Sequence, residues 1–326
     1  MAKDPATAGV NYLRISVTDR CQLRCRYCTY WREWQKLPCG EILRYEELLR
    51  LATLAAVKGI SKIRVTGGEP LLRRGLLEFL PELHRVPGIT KVCLTTNGVL
   101  LPKLASALYE TGLRHLNISL DTLQRERYRH ITGRDNLPEV LAGLEQAASL
   151  GFHPVKINCV VLKGINDDEV LDLAMLARDR PYQVRFIELM PTVSQQWWQR
   201  HFLPLPAVLL RLKTLGPLLP AIPEDAAGPA RIFRVPGFQG ELGFISPLNG
   251  HRCSTCNRLR LTADGKLRPC LLNPHELDLK GLLRMSRGDD SLSCLFEKAL
   301  ELKGGKAGSS LTHAHPPGRS MVSIGG

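Results

Sequence analysis

The chain has 326 residues, and 44 Lys and Arg against 31 Asp and Glu give it a formal net charge of +13 at pH 7. At roughly 150 residues per domain this length allows two domains, or one barrel with an appendage. With 44% hydrophobic and 23% charged residues it is no wholesale disordered chain, and its surplus of positive charge favours an anionic partner. No uninterrupted apolar run approaches the ~18 residues of a membrane span, and the start MAKDPATAGV lacks the apolar stretch of a secretory signal. A cytoplasmic location is therefore expected, with no membrane partner. In that compartment the ten cysteines read as thiols for metal or redox chemistry rather than as disulfides.

Along the chain, β-rich runs near 10–17, 61–67, 91–96, 114–120, 154–161 and 183–189 alternate with helical patterns. The helices are expected at Tyr45–Val57, Leu76–Leu83, Lys103–Thr111, Pro138–Leu150 and Asp167–Ala177, several closed by Gly59, Gly112 or Gly151. Six β/α repeats make an α/β fold with a parallel sheet, open or partly closed into a barrel. No GxGxxG follows the first strand, which removes the main support for dinucleotide binding. The Pro- and Ala-rich stretch 203–230 reads as a connecting segment between a partial barrel at 10–202 and a region at 231–302. That region opens with two short antiparallel strands, RIFRVPG and ELGFISP, and an expected flexible tail at 303–326 ends in Gly-Gly.

The strand faces are informative. By the period of 2, Leu13, Ile63, Val65, Leu116, Ile118, Val155, Ile157, Val184 and Phe186 make one apolar face suited to covering helices. The opposite face gathers Arg14, Lys62, Arg64, Asn117, Ser119, Lys156, Asn158 and Arg185. If that face lines a barrel, burying so many like charges is costly without a partner, so the interior is expected to hold water and a multiply charged anion.

Cys21, Cys25 and Cys28 form CX3CX2C directly after the first strand. Taken alone the triplet also suits a zinc site or a CxxC redox pair, but zinc usually completes four protein ligands and redox chemistry needs two cysteines. Three thiolates on a 4Fe-4S cube leave one iron open to a cofactor. A second group, Cys253, Cys256 and Cys270, forms CX2CX13C, with Cys294 a possible fourth ligand; Cys39, Cys93 and Cys159 have no matching spacing.

CX3CX2C after strand one, Gly67-Gly68-Glu69-Pro70 after strand two and Thr95-Thr96-Asn97-Gly98 at strand three resemble the radical S-adenosylmethionine (SAM) superfamily. The paired glycines read as a place where backbone carbonyls are exposed and a ligand approaches closely. The stretches SVTDRC, IRVTGGEPLLR, LTTNG, NISLDTL, CVVLKGIND, VRFIELMP, CNRLRLTADGKLRPCL and the terminal IGG narrow the resemblance to the GTP 3′,8-cyclase family of molybdenum cofactor biosynthesis.

The resemblance implies a homodimer of incomplete (β/α)6 barrels whose C-terminal extension closes the open side. It implies a first 4Fe-4S cluster on Cys21, Cys25 and Cys28, a second on Cys253, Cys256 and Cys270, and SAM at Tyr27, Gly68, Ser119 and Met190. The implied GTP contacts are Arg14, Arg64, Thr95, Lys156, Arg258, Leu259 and Arg260, with Arg258, Arg260, Gly325 and Gly326 taking part in catalysis. The implied chemistry is removal of the ribose 3′ hydrogen by a 5′-deoxyadenosyl radical, bonding of that carbon to purine C8, and one-electron reduction. A flavodoxin- or ferredoxin-type electron donor and a downstream cyclic pyranopterin monophosphate synthase are implied partners. After Cys28 the family usually continues Met-Pro-Glu-Glu-Gly, whereas here Thr29-Tyr30-Trp31-Arg32-Glu33 follows. The alternatives are a peptide-modifying radical SAM enzyme, which commonly carries more auxiliary cysteines, and a zinc-binding RNA-binding protein. The latter calls for aromatic stacking platforms, and aromatic residues are only 6%; nucleic acid is not the expected partner.

Overall fold

The structure is a computed structural model describing residues 9–28, 35–191, 193–221, 229–246, 256–271, 275–285, 288–304 and 321–325. Its strands are β1 (Tyr12–Ser16), β2 (Lys62–Thr66), β3 (Lys91–Thr96), β4 (His115–Ser119), β5 (Val155–Val161), β6 (Gln183–Glu188), β7 (Leu219–Ala221), β8 (Arg231–Arg234), β9 (Glu241–Ile245), β10 (Arg258–Leu261), β11 (Lys266–Arg268) and β12 (Leu277–Asp278). Its helices are α1 (Tyr45–Val57), α2 (Leu76–Arg85), α3 (Leu101–Glu110), α4 (Arg125–Thr132), α5 (Leu137–Ser149), α6 (Val170–Met175), α7 (Gln195–His201), α8 (Leu205–Leu212), α9 (Leu279–Arg284), α10 (Asp289–Gly304) and α11 (Met321–Ile324).

All twelve strands join one sheet in the order β12-β11-β10-β1-β2-β3-β4-β5-β6-β9-β8-β7. Strands β1 to β6 run parallel in chain order, as the β/α alternation predicts. The C-terminal region adds a parallel strand at each edge, β10 beside β1 and β9 beside β6. Among the described residues no pairing joins β9 to β10, so the ladder stays open and the expected closure of the barrel is not made by hydrogen bonds.

The outward face packs under the helices. Leu13, Ile15, Ile63, Val65, Leu116, Ile118, Ile157, Val184 and Phe186 are all fully buried in one core. Burial of each such side chain stabilises by about 1.5–3 kcal/mol, so the helical layer is tightly fixed to the sheet. Gly59, Gly112 and Gly151 follow α1, α3 and α5 with φ of 92, 89 and 84°, the left-handed conformation that lets the chain turn back toward the next strand.

The expected strand pair RIFRVPG and ELGFISP is present as antiparallel β8 and β9. The stretch read as a connecting segment carries more structure than its Pro and Ala content suggests. It holds α8, whose Leu205, Val208 and Leu212 are buried, and β7, which pairs with β8. Pro204 and Pro206 do not oppose a helix there, because they stand at its start, where the missing N–H is not needed. No helix of the described residues is long and apolar enough to cross a membrane.

Candidate active site

The strand register lines cations up in rows. Arg64 of β2, Arg14 of β1 and Arg260 of β10 are successive partners, and Lys62, Tyr12 and Arg258 form the neighbouring row. Further along, Thr95, Asn117 and Lys156 pair across β3, β4 and β5, and Asn158 pairs with Arg185 of β6. Partners in register share a face, and all of these side chains line one cavity on the inner side of the sheet. The charged face expected from alternation alone is therefore one wall. Leu259 is the exception among the residues implied for GTP: alternation turns it outward, where it is fully buried in the core, so its side chain does not reach the cavity.

These cations are held close together and mostly out of water. Arg64 Nε donates to the Tyr12 hydroxyl at 2.5 Å and Nη1 to the Leu94 carbonyl at 3.3 Å. Arg185 Nε donates to Gln183 Oε1 at 2.7 Å, and Gly243 gives it room, since a Cβ there would lie 2.9 Å from Arg185 Cγ. Burial, and then the charges of Arg185, Arg64 and Lys62, bring Lys156 down to about 7. Burial also brings Arg14 down to about 10, with Arg64 and Arg258 adding to the effect, and Arg260 falls well below its ordinary value for the same reasons. Burial works to raise the Tyr12 phenol, but Arg64 and Arg14 outweigh it and lower it. The wall is thus electrostatically short of an anion.

Cys21, Cys25 and Cys28 face the same cavity, as do Tyr27, Gly68, Ser119 and Met190. The paired glycines line the cavity and also meet a packing demand. A Cβ on Gly67 would lie 2.7 Å from the Thr18 carbonyl oxygen, and one on Gly68 only 2.3 Å from that of Arg20. Free of side chains, this turn docks on the loop leading to Cys21 through Gly68 N to Thr18 O and Glu69 N to Arg20 O, both at 2.7 Å. Gly68→Ala must push two backbones apart, an overpacking cost of about 1–3 kcal/mol. It is expected to lower both the thermal midpoint and the iron bound by the first cysteine group, as thermal unfolding and iron analysis would show.

Burial pushes the Cys21 thiol up to about 11 and Cys28 to about 12, and Cys25 well above its ordinary value. Ionised, they need a positive partner. Among the described residues no three such side chains converge where a single metal ion could sit. A cube takes one thiolate on each of three irons, and three thiols facing one cavity supply that set.

The C-terminus comes to the same place. Met321 N donates to the Cys28 carbonyl at 3.1 Å, which brings α11 over the cysteine loop. The Gly325 carbonyl then accepts from Arg14 Nη2 and from Arg260 Nη1, each at 3.1 Å. Gly326 and the Thr29-Tyr30-Trp31 departure lie outside the described residues.

Cys256 and Cys270 stand at the same end of the β10–β11 hairpin, two residues before Arg258 and two after Arg268. Burial works to raise the Cys256 thiol, but the charges of Arg258 and Lys303 bring it down to about 6. Cys253 is outside the described residues; Cys294 is exposed on α10 and does not line the cavity. Of the unassigned thiols, Cys93 and Cys159 are buried and Cys39 is exposed.

Several cavity residues were not singled out by sequence. The Oδ1 atoms of Asn117 and Asn158 are buried without a hydrogen-bond partner among the described residues, an arrangement that costs about 1–3 kcal/mol unless a ligand or water donates. Alternation had placed both on the inner face, but nothing there separates a ligand contact from a filler. Asp121, raised to about 6 by burial, accepts from the Tyr27 hydroxyl at 2.5 Å and from Val160 N at 2.8 Å, fixing the ring beside the cysteines. Fully buried Glu69 accepts from Leu71 N, Thr96 Oγ1 and Asn97 N, and so ties the ends of β2 and β3 together.

A parallel β/α sheet with three cysteines after its first strand, facing the same cavity as the turns that follow the next strands, defines a radical SAM protein. The model of the Radical SAM superfamily matches residues 15–177, and that of Molybdenum Cofactor Synthesis C matches 182–308. The chain is 46% identical over 324 residues to the GTP 3′,8-cyclase of Moorella thermoacetica, covering 99% of this chain and 100% of that one. It is 47% identical over 303 residues to that of Pelotomaculum thermopropionicum, covering 92% and 93%. The chain belongs to the GTP 3′,8-cyclase family. Among solved structures, Streptococcus suis SuiB bound to S-adenosylmethionine superposes with a TM-score of 0.62 at 14% identity, covering 86% of this chain and 66% of that one. That likeness is one of fold.

Proposed function

We propose that the chain is a lyase converting GTP to (8S)-3′,8-cyclo-7,8-dihydroguanosine 5′-triphosphate in molybdenum cofactor biosynthesis, using two 4Fe-4S clusters and SAM. The observation that carries this reading is the shared cavity: Arg14, Arg64, Lys156, Arg258 and Arg260 face it together with Cys21, Cys25 and Cys28. When bound, the first cluster and SAM supply one-electron cleavage of SAM and a 5′-deoxyadenosyl radical. Overall, the ribose 3′ hydrogen leaves, C3′ bonds to purine C8, and one electron and one proton complete the product.

The residues of the chain bind and orient. Arg14, Arg64, Lys156, Arg258 and Arg260 take the triphosphate, whose charge offsets their mutual repulsion, with Thr95 beside them; the Leu259 side chain fixes β10 in the core, which leaves its backbone for any contact with GTP. Tyr27, held by Asp121, together with Gly68, Ser119 and Met190, surrounds SAM next to the cysteine loop. Gly325 sets a carbonyl between Arg14 and Arg260, with Gly326 following it, while Met321 and Val322 line the cavity from the tail side. Cys253, Cys256 and Cys270 would hold the second cluster, whose free iron would be open to the guanine. Family resemblance further supports a cytoplasmic homodimer reduced by a flavodoxin- or ferredoxin-type donor, its product passing to cyclic pyranopterin monophosphate synthase.

Lys156 makes GTP affinity pH-dependent. Its lowered value of about 7 means that the free protein loses this cation as pH rises through 7, while bound triphosphate restores it. Above pH 7.5 the terminal phosphate, with a second pKa of roughly 6, is fully ionised and does not contribute. GTP binding at pH 8 is therefore expected to take up close to one proton, and affinity to fall up to about tenfold per pH unit. Calorimetry in buffers of different ionisation enthalpy checks this, and Lys156→Met is expected to abolish the uptake.

The function is tested anaerobically by reconstituting the chain with iron and sulfide and adding SAM, a reductant and GTP. Release of 5′-deoxyadenosine with a cyclised nucleotide is expected. Deoxyadenosine released only with a peptide substrate, or stoichiometric zinc in place of iron, would overturn the reading.

A further inference from the structure

Lys303 lies in the last turn of α10, and its Nζ is 3.1 Å from Cys256 Sγ and 3.0 Å from the Pro269 carbonyl oxygen. It therefore touches both arms of the hairpin at the end that presents Cys256 and Cys270. Among the described residues no carboxylate lies within ion-pair distance of it, so its charge is directed at the sulfur.

The helix that carries it is firmly placed. Leu292, Phe296, Ala299 and Leu300 are buried in the core. Two ion pairs, Arg50 with Asp289 at 2.7 Å and Lys58 with Glu297 at 2.5 Å, fasten α10 to α1. A long, flexible lysine on such a helix is thus delivered to one sulfur from an element that belongs neither to the cysteine-bearing hairpin nor to the cation rows.

We propose that Lys303 acts on the second cluster through Cys256, donating an N–H···S hydrogen bond and setting a positive charge beside the thiolate, and so raises that cluster's reduction potential. The physical reason is that a reduced cluster carries one more negative charge, which hydrogen bonds to sulfur and nearby cations stabilise selectively. The inference rests on Cys256 being a ligand of that cluster. It makes Lys303 a positioning and tuning residue, with no contact to substrate required.

The test uses the full chain, anaerobically reconstituted, as Lys303→Met, Lys303→Arg and Cys256→Ser, with iron and sulfide counted and each cluster's potential titrated by electron paramagnetic resonance. Lys303→Met is expected to lower the reduced-to-oxidised ratio of the second cluster about tenfold at a fixed potential, a shift of about 59 mV for one electron. Lys303→Arg is expected to stay near the parent, and the first cluster not to move. Loss of the second cluster from Lys303→Met but not from Lys303→Arg would make Lys303 a residue that retains the cluster and would overturn the tuning role. An unchanged potential in a fully loaded Lys303→Met, or equal effects of Met and Arg, would overturn it. A Cys256→Ser protein that keeps its full second-cluster iron would instead overturn the ligand reading on which the inference rests.

Discussion

Replacing Gly325 with valine is expected to lower formation of the cyclised nucleotide by at least about tenfold while leaving SAM binding and first-cluster iron intact. Two physical costs act on the same residue. Its φ of +75° is left-handed, which costs a side-chain-bearing residue roughly 1–2 kcal/mol. A Cβ there would also lie 2.5 Å from Thr66 Oγ1 and 3.2 Å from Ser16 Cβ, on strands fixed in the middle of the sheet. Strands β1 and β2 have no room to yield, so the tail must withdraw, and its carbonyl leaves Arg14 and Arg260. Since each 1.4 kcal/mol is a factor of ten in population, the overlap and the left-handed strain together nearly empty the docked state. Product measured against iron content checks this; wild-type turnover in Gly325→Val would show that the docked tail is dispensable.

Arg260→Ala is expected to weaken GTP about 10- to 150-fold with no loss of thermal stability in the ligand-free protein. A charge-assisted hydrogen bond to phosphate accounts for roughly 1.5–3 kcal/mol. Without the anion, however, Arg260 is a buried cation in repulsion with Arg14 and Arg258. Removing it relieves that repulsion, which offsets the lost bond to the Gly325 carbonyl. Binding thus falls while stability holds, the pattern of a residue kept for its ligand. Calorimetry with GTP and with SAM, beside thermal unfolding, measures all three quantities. A large fall in the midpoint with unchanged GTP affinity would make Arg260 a structural residue.

Much of this site is legible in the chain because a parallel strand obeys a period of 2. Arg14, Lys62, Arg64, Lys156 and Arg185 fall on one face wherever the strands begin within a residue or two of their expected ends. The helices α1, α3 and α5 are legible for a similar reason: periodic apolar positions stop at a glycine able to take positive φ. What is not legible depends on contacts between distant residues. That β10 lies beside β1, so that Arg260 continues the row of Arg64 and Arg14, is fixed by pairing across some 245 residues that no local pattern reports. The Gly67-Gly68 pair shows the limit from the other side, since the residue type was informative but the backbone packing on Thr18 and Arg20 that also demands it was not visible. Resemblance drew attention to the terminal glycines; their position between Arg14 and Arg260 is visible only in three dimensions.

One cavity is expected to bring the ribose of GTP to the radical formed from SAM. GTP carrying deuterium at the ribose 3′ carbon tests it most directly, with the released 5′-deoxyadenosine weighed by mass spectrometry. Deoxyadenosine carrying one deuterium from the 3′ position is expected. Unlabelled deoxyadenosine accompanying full product formation would contradict it.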